Sequence, residues 1–293
     1  MRRLIVHGDD FGLAAGVNRA ILELHRAGAL TSASLMARAA ATEEAIELAR
    51  TTPSLGVGCH MVLTDGVPVL PASEIPSLMD GRTGRFQPTP GAFLARLVTG
   101  RIRTQEIEAE AAAQIASLQA RGLVLTHIDT HKHTHISPAV LRPLLRAARA
   151  AGIRTVRNPF EAGWSRRATQ GVSWVRRAEV NAFRLLQLAF RRIVAEEGFV
   201  TTDGAIGILA TGLLDTAMLR SLIGKMPPGT WELVTHPGYC DRDLQQANTR
   251  LLASREREVQ ALKEIVQIDG VERISFADLR AAGPIRSASR QRG

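Results

Sequence analysis

Several features that define whole classes of protein are scarce or missing in this 293-residue sequence. Two cysteines are too few for a disulfide scaffold, which fits a reducing compartment. Aromatic residues make up only 4% of the chain, so aliphatic side chains must supply most of the core. No apolar run reaches the roughly 18–20 residues that span a bilayer, and the N-terminal apolar run breaks at His7. We therefore expect a cytoplasmic globular protein.

Lysine is also rare, so arginine carries nearly all of the positive charge behind a net charge of +9. Between Arg142 and Arg192 there are twelve arginines against two glutamates. Such a basic segment could meet nucleic acid, an anionic membrane surface or an acidic partner. The arginines are not interleaved with stacking aromatics, and no known nucleic-acid-binding motif occurs. We therefore expect no nucleic-acid partner.

The chain does contain a regular alternation of short apolar runs and longer segments of helical periodicity. This alternation is typical of a parallel sheet covered by helices, and eight predicted strands favour an α/β fold of the distorted (β/α) barrel type, TIM-barrel-like. The predicted strands are Leu4–His7, Ser32–Met36, Leu55–Leu63, Leu123–Asp129, Ile153–Arg157, Ala205–Leu209, Trp231–Thr235 and Val271–Ser275. The predicted helices are Gly16–Arg26, Thr42–Arg50, Thr104–Arg121, Pro138–Ala151, Leu214–Ile223 and Leu251–Val266. We expect one domain over residues 1–283, with a basic helical insert at about 158–202 and a flexible tail at 284–293.

Histidines and aspartates cluster where the predicted strands end. Asp9 and Asp10 follow the first strand, His60 lies near the end of the third, and His236 follows the seventh. The fourth strand runs into a segment in which every second residue is a candidate: His127, Asp129, His131, His133 and His135. The carboxyl ends of barrel strands meet on one face, so these side chains should share one mouth. Imidazole and carboxylate together suit Zn²⁺ or a related divalent ion.

Each of these motifs also has a plainer interpretation. Segment 127–135 could be a surface turn that binds metal adventitiously, and the adjacent aspartates could cap the next helix. His236 alone is weak evidence, although the pKa range of histidine suits an acid opposite a base. Cys59 is better explained as a small buried hydrophobe than as a nucleophile. His7 is interpreted as an ordinary strand residue.

At these residues the sequence resembles the YdjC-like carbohydrate deacetylases, which include chitooligosaccharide deacetylases. The resemblance extends over essentially the whole chain, and its matching stretches are Leu4–Gly12, Gly16–Asn18, Leu30–Met36, Gly58–Thr64, Thr126–His135, His236–Tyr239 and Ile274–Phe276. More narrowly, the segment from Thr201 to Gly212 and the basic insert before it resemble the branch associated with hopanoid biosynthesis. One departure is visible, because the family often has Asn-Ala before the aspartate pair where this chain has His7 and Gly8.

The resemblance implies one divalent metal ion, with zinc the first choice and magnesium, cobalt, nickel or manganese as alternatives. Carried over by position, the metal ligands would be Asp10, His60 and His131. His127 and Asp129 would lie behind those ligands, where they orient them, or would contact substrate.

The resemblance also implies an amide hydrolase, with Asp9 as general base and His236 as general acid. The expected substrate is an N-acetylglucosaminyl hopanoid glycolipid, which would yield a glucosaminyl hopanoid and acetate. A soluble chitooligosaccharide such as diacetylchitobiose is the alternative substrate. Metal storage or sensing by the histidine cluster is the non-enzymatic alternative.

The basic insert gives separate support for a lipid-linked substrate. Apolar residues in segment 173–197 predict a stripe along a helix, formed by Trp174, Val175, Phe183, Leu186, Phe190 and Val194. Arg177, Arg184 and Arg191 recur at every seventh position. A basic amphipathic helix suits anionic lipid, so we expect peripheral contact with the inner face of the membrane. The plainer interpretation is a helix that packs on the barrel with an arginine-rich outer side.

Overall fold

The computed structural model describes residues 1–281, and the predicted tail at 284–293 lies outside them. The strands are β1 (Arg2–Phe11), β2 (Ser32–Leu35), β3 (Gly56–Met61), β4 (Met79–Asp80), β5 (Arg85–Phe86), β6 (Ile128–Thr130), β7 (Gly204–Ile206), β8 (Gly229–Thr235) and β9 (Glu272–Arg273). The helices are α1 (Ala15–Arg26), α2 (Thr42–Arg50), α3 (Pro90–Val98), α4 (Thr104–Gln119), α5 (Pro138–Ala150), α6 (Gly163–Ala168), α7 (Trp174–Phe183), α8 (Gln187–Glu196), α9 (Thr216–Gly224), α10 (Arg242–Gln246), α11 (Ala253–Lys263) and α12 (Phe276–Ala281). Short 3₁₀ segments lie at His131–Ile136, Arg184–Leu186 and Glu264–Gln267.

Six strands form a curved parallel sheet in the order β6-β3-β2-β1-β8-β7, and β9 pairs with β1 beside this path. Helices surround the sheet, and the predicted barrel-like α/β fold is confirmed. The segment from Thr155 to Glu161 spans the gap between the two edge strands through isolated parallel bridges, which pair Ile128 with Val156, Thr155 with Val200 and Glu161 with Ala205. The barrel is therefore closed on this side without a regular strand.

Two predicted strands differ from the structure for this reason. The prediction of a strand at Ile153–Arg157 is wrong, since those residues make single bridges only. The strand predicted at Leu123–Asp129 shrinks to Ile128–Thr130, because the residues before it contact β3 without forming a regular ladder. The six predicted helices are all present and end within three residues of the predicted bounds.

The side chains of β1 alternate between two apolar layers. Leu4 and Val6 point into the main core under the helices, whereas Ile5 joins a small cluster with Ile274, Phe276 and Leu279. This cluster closes the barrel at the amino ends of its strands, and the Phe276 N–H donates to Ser32 Oγ there at 3.1 Å. The opposite end, where the strands finish, stays open for polar side chains.

The segment predicted as a basic insert, 158–202, contains α6, α7 and α8, and the 3₁₀ turn at Arg184–Leu186 joins the last two. Of the predicted apolar stripe, Phe190 and Val194 are buried against the barrel, but Trp174 is 79% exposed. The predicted single stripe is therefore wrong, because the segment buries one apolar face and exposes another. None of the helices within residues 1–281 is long and apolar enough to cross a membrane.

Candidate metal centre

The two aspartates at the end of β1 lie in a β-bulge. Gly8 pairs with Ala33, but the next pair is Phe11 with Leu35, so β1 carries one residue more than β2 over this stretch. Asp10 adopts a φ of 66°, in the left-handed region that aspartate tolerates better than most residues. Consecutive strand residues normally point to opposite faces, and the bulge removes that alternation. Both carboxylates consequently reach the same groove.

Three predicted ligands meet at the open end of the barrel. Asp10 Oδ1 lies 3.2 Å from His131 Nδ1 and 3.5 Å from His60 Nε2, and the two imidazole nitrogens are 3.3 Å apart. His60 comes from β3, whereas His131 begins the 3₁₀ turn that follows β6. Asp10 and His60 are buried, and His131 is partly open to solvent. One atom could therefore touch all three side chains.

The chemistry of this cluster fits a divalent cation. Asp10 Oδ1 is buried and has no hydrogen-bond partner within residues 1–281, which is costly unless a cation satisfies it. The guanidinium of Arg255 holds only the other oxygen, with Nη2 donating to Asp10 Oδ2 at 2.6 Å. Burial works against the ionised form of Asp10, but Arg255 and the two histidines hold its pKa well below its usual value. One carboxylate oxygen and two imidazole nitrogens are a ligand set that suits zinc and its neighbours in the periodic table.

Asp129 holds the His60 ring in place from behind. Asp129 Oδ1 lies 2.8 Å from His60 Nδ1, and Ser34 Oγ lies 2.9 Å from the same nitrogen. A proton on Nδ1 leaves the Nε2 lone pair facing Asp10 and His131, which is the usual arrangement of a metal-binding histidine. Burial would lower the pKa of His60, but the charges of Asp129, Asp10 and Asp9 raise it to about 10. The surroundings of this ring therefore favour a positive charge, either a proton or a metal ion.

His127 lies two residues before Asp129, deeper in the barrel. Its ring stacks on Phe276 with centroids 4.0 Å apart, and Nδ1 contacts Thr126 Oγ1 at 2.8 Å. Gly58 makes room for it, because a Cβ there would lie 2.4 Å from His127 Nε2. Burial lowers the pKa of His127 to about 3. The structure thus brings Asp129, but not His127, into hydrogen-bond contact with a predicted ligand.

Sequence reasoning missed Arg157, which organises the carboxylates beneath the cluster. It is fully buried, and its Nη2 and Nη1 atoms donate to Asp9 Oδ1 and Oδ2 at 2.6 and 2.9 Å. Its Nη1 also lies 2.6 Å from Asp129 Oδ2, and its Nε donates to Glu232 Oε1 at 2.7 Å. The available signal was a charged residue at the end of a predicted strand, which in an α/β barrel points to the mouth.

One guanidinium thus contacts three buried carboxylates, so one positive charge faces up to three negative charges. This excess of negative charge favours a proton on Glu232. Burial raises the pKa of Glu232 to about 8, and Asp9 and Asp129 add to this effect although Arg157 opposes it. His7, set aside from the sequence, lies 3.5 Å from Asp9 Oδ1 and 3.2 Å from Ser34 Oγ through Nε2. Burial, and then Arg157, hold the pKa of His7 well below its usual value, so this ring is neutral.

A second group of possible metal ligands lies in the same region, formed by His7, Asp9 and Asp129. Arg157 contacts both of these carboxylates directly. Because the guanidinium already supplies the cation here, the cluster of Asp10, His60 and His131 is the better metal site.

His236 faces Asp9 at the edge of the groove. Its Nε2 lies 3.7 Å from Asp9 Oδ2, and its backbone N–H donates to Glu258 Oε2 at 2.6 Å. Burial lowers the pKa of His236 to about 4, although the charges of Asp9 and Asp10 raise it. The ring is therefore neutral at neutral pH in the free protein, and it must gain a proton before it can act as an acid.

The remaining candidates from the sequence, His133, His135 and Cys59, lie outside the ligand cluster. His135 is buried, with Nδ1 2.6 Å from Thr130 Oγ1 and Nε2 3.3 Å from the Arg157 carbonyl oxygen. His133 lines the groove and has a φ of 53°. Cys59 is buried in the core, where burial raises the pKa of its thiol, so the prediction of a small buried hydrophobe is confirmed.

The cluster opens into a groove of about 1480 Å³. Asp9, Asp10, His131 and His236 lie in its wall. Apolar side chains line much of the remainder, and among them are Leu13, Met36, Val62, Phe93, Leu94, Leu97, Val98, Ile136, Phe160, Val180, Phe183, Leu186, Ile208 and Leu251. Drug-sized ligands occupy pockets of about 300–1,000 Å³, so this groove exceeds the needs of a single sugar ring.

Fold and site together define an α/β-barrel protein with a candidate metal centre at the carboxyl ends of its strands. The model of the YdjC-like protein family matches residues 3–265, so this chain belongs to the YdjC-like family.

Two carbohydrate deacetylases and one crystal structure are similar to this chain over most of its length. A carbohydrate deacetylase of Brevibacillus brevis is 32% identical over 281 residues, which cover 94% of this chain and 99% of that protein. A chitooligosaccharide deacetylase of Salmonella paratyphi B is 34% identical over 201 residues, 66% of this chain and 75% of that protein. A crystal structure from Enterococcus faecalis V583, of a candidate cellobiose-phosphate cleavage protein, superposes with a TM-score of 0.74 at 25% identity and covers 95% of this chain and 98% of its own. The prediction of an enzyme of the carbohydrate N-deacetylase class is confirmed.

Proposed function

We propose that this protein is a metal-dependent hydrolase that removes the N-acetyl group from an N-acetylglucosaminyl hopanoid glycolipid. The observation that carries the proposal is the cluster of Asp10, His60 and His131, whose unsatisfied buried oxygen opens into a groove beside Asp9 and His236. Zinc is the first choice of metal, and magnesium, cobalt, nickel and manganese are alternatives. The relatives named as carbohydrate deacetylases support the reaction class.

The reaction forms a C–O bond from water, breaks the amide C–N bond, and releases acetate and a free amine. A divalent ion held by Asp10, His60 and His131 would polarise the amide carbonyl and lower the pKa of water. Asp9 is the base that takes the proton of the attacking water, and Arg157 keeps both of its oxygens oriented.

His236 is the group that returns a proton to the departing nitrogen. It starts neutral because burial lowers its pKa to about 4. Its Nε2 is 3.7 Å from Asp9 Oδ2, so the proton that Asp9 removes from water can pass to His236 after a small movement. The same proton then completes the amine, and Asp9 is ready for another cycle.

The apolar groove supports a lipid-linked substrate. Polar groups for a sugar ring line the groove at the metal cluster and also at Asp65, Asn248 and Arg250. On its other side, α3, α7 and the 3₁₀ turn contribute the apolar residues Phe93, Leu97, Val180, Phe183 and Leu186. Such a lining suits a rigid hydrocarbon better than a second sugar. A substrate of this kind resides in a bilayer, so the enzyme would work at the inner face of the membrane.

A soluble chitooligosaccharide such as diacetylchitobiose is the second candidate, supported by the name of the Salmonella relative. Acetyl loss, measured by mass spectrometry, separates the two when the purified enzyme meets an N-acetylglucosaminyl hopanoid and diacetylchitobiose side by side. We expect faster turnover of the glycolipid. Turnover of the chitin dimer alone would favour the soluble substrate, and bound metal without activity on either would contradict the hydrolase.

A further inference from the structure

We propose that the two apolar edges of the groove form a surface that docks on an anionic lipid bilayer, with the groove mouth facing the membrane. This inference rests on the proposed lipid-linked substrate. The first edge is the arm from Trp174 to Glu196, which comprises α7, the 3₁₀ turn and α8. The second edge is α3.

Large apolar side chains project from the arm into solvent. Trp174 is 79% exposed, Leu185 87% and Leu188 81%, although soluble proteins rarely leave such groups together at the surface. Leu185 and Leu188 are three residues apart, so they are neighbours on the surface of the arm. The opposite side of the arm is held on the barrel by Phe190, Ile193 and Val194, which are buried. The arm is thus anchored on one side and apolar on the other.

The second edge repeats this pattern across the groove. Val98 is 73% exposed and Leu94 47%, and both also line the groove wall. On the arm, Phe183 is 41% exposed and lines the same groove. The exposed apolar surface is therefore continuous with the lining of the site, so a lipid could move from one to the other without crossing water.

Charge on the arm identifies the partner as anionic. Arg184 and Arg192 are exposed and form no ion pair with any described residue, and Arg191 bonds only to the carbonyl oxygen of Asp203. At the start of the arm, a pocket of about 380 Å³ is lined by Arg166, Arg167 and Arg177 with no carboxylate. Basic residues beside exposed Trp and Leu are the features that bind a helix to the surface of an anionic bilayer.

A second copy of this chain is a poorer partner for the surface. A symmetric dimer through the arm would bring the same unpaired arginines of both copies together, and like charges at an interface are unfavourable. Anionic phospholipid satisfies both the apolar side chains and the guanidinium groups.

Vesicle co-sedimentation tests the surface with the full-length protein. The vesicles contain phosphatidylcholine alone, or phosphatidylcholine and phosphatidylglycerol in equal parts. We expect binding to the second kind only, weakened about tenfold or more by the double variant Leu185→Asp/Leu188→Asp. Arg184→Glu should weaken binding about tenfold. Val124→Asp and Arg26→Glu are the matched controls, because both residues are exposed and neither lies on the arm or α3. Val124 precedes β6, and Arg26 is the last residue of α1.

Three results would overturn the docking surface: no binding of the wild-type protein, equal binding by the arm variants, or a dimer that dissociates when Leu185 and Leu188 are replaced. The glycolipid dispersed in detergent keeps this test separate from the proposed function. We expect the arm variants to retain wild-type turnover of that dispersed substrate. Failure of the wild-type enzyme to hydrolyse it would count against the proposed substrate, while the sedimentation result would still decide the surface.

Discussion

Arginine has two different environments in the two regions of this molecule that matter most. In the barrel mouth, Arg157 and Arg255 are buried; Arg157 contacts three carboxylates and Arg255 contacts that of Asp10. On the arm, Arg184 and Arg192 are exposed and form no ion pair among the described residues. A buried charge must be matched inside the protein, whereas an exposed charge is satisfied by water or by a partner. The buried ion pairs therefore fix the side-chain geometry of the mouth, whereas the exposed arginines of the arm are free to contact a partner.

The largest expected difference between the two regions comes from the matched replacements Arg157→Met and Arg184→Met. Loss of Arg157 leaves Asp9, Asp129 and Glu232 buried without their cation, which should lower the free energy of unfolding by about 3–5 kcal/mol. Arg184→Met should change it by less than about 0.5 kcal/mol. Urea denaturation monitored by circular dichroism measures both. Similar losses in the free energy of unfolding for the two variants would contradict the distinction between paired arginines in the mouth and unpaired arginines on the arm.

Within the mouth, the roles of the carboxylates and imidazoles can be separated. Asp9→Asn and His131→Ala should each reduce turnover by about a thousandfold or more, because a base and a metal ligand are both needed. Only His131→Ala should also lose bound metal, since Asp9 contacts Arg157 rather than the ligand cluster. Metal analysis of the purified variants, beside the activity assay, checks this. An Asp9→Asn enzyme with full metal and near-normal turnover would remove Asp9 from the proposed role.

A smaller effect is expected in the pH dependence of stability. The folded-state pKa of Glu232 is raised to about 8, so between about pH 5 and pH 8 the folded protein holds a proton that the unfolded chain releases. Stability from this group is therefore lost as pH rises through that range, by up to about 1.4 kcal/mol per pH unit. Glu232→Gln should remove this slope. The difference between wild type and variant, followed by denaturation at several pH values, should grow in favour of the variant as pH increases.

The smallest effect on stability should come from the exposed arm. Leu188→Ser should change the free energy of unfolding by less than about 0.5 kcal/mol, because Leu188 is 81% exposed. Phe190→Ala, two residues away but buried, should cost about 3–5 kcal/mol. Thermal or urea denaturation of this pair tests whether the arm has one packed side and one free side. Equal costs would mean that the exposed side is also part of the core.

Much of the site could be predicted because strand ends are local signals. The apolar run before His60, and the alternation through Asp129 and His131, indicate strands and their ends without any knowledge of contacts. Ile153–Arg157 does not form the predicted strand, but Arg157 still lies at the mouth of the barrel. Its partners could not be inferred, since Asp9 is 148 positions away.

Most of the strands and helices around the site, the family, and the three residues that converge at the open end of the barrel could be predicted from the sequence alone. These depend on hydrophobic periodicity and on residue types at strand ends, which are local properties. Tertiary structure decided the bulge that turns Asp9 and Asp10 to one side, the pairing of Arg255 with Asp10 across 245 positions, and the exposure of Trp174 and Leu185. Those features depend on which distant segments pack against one another, and burial and charge pairing are settled only when they meet.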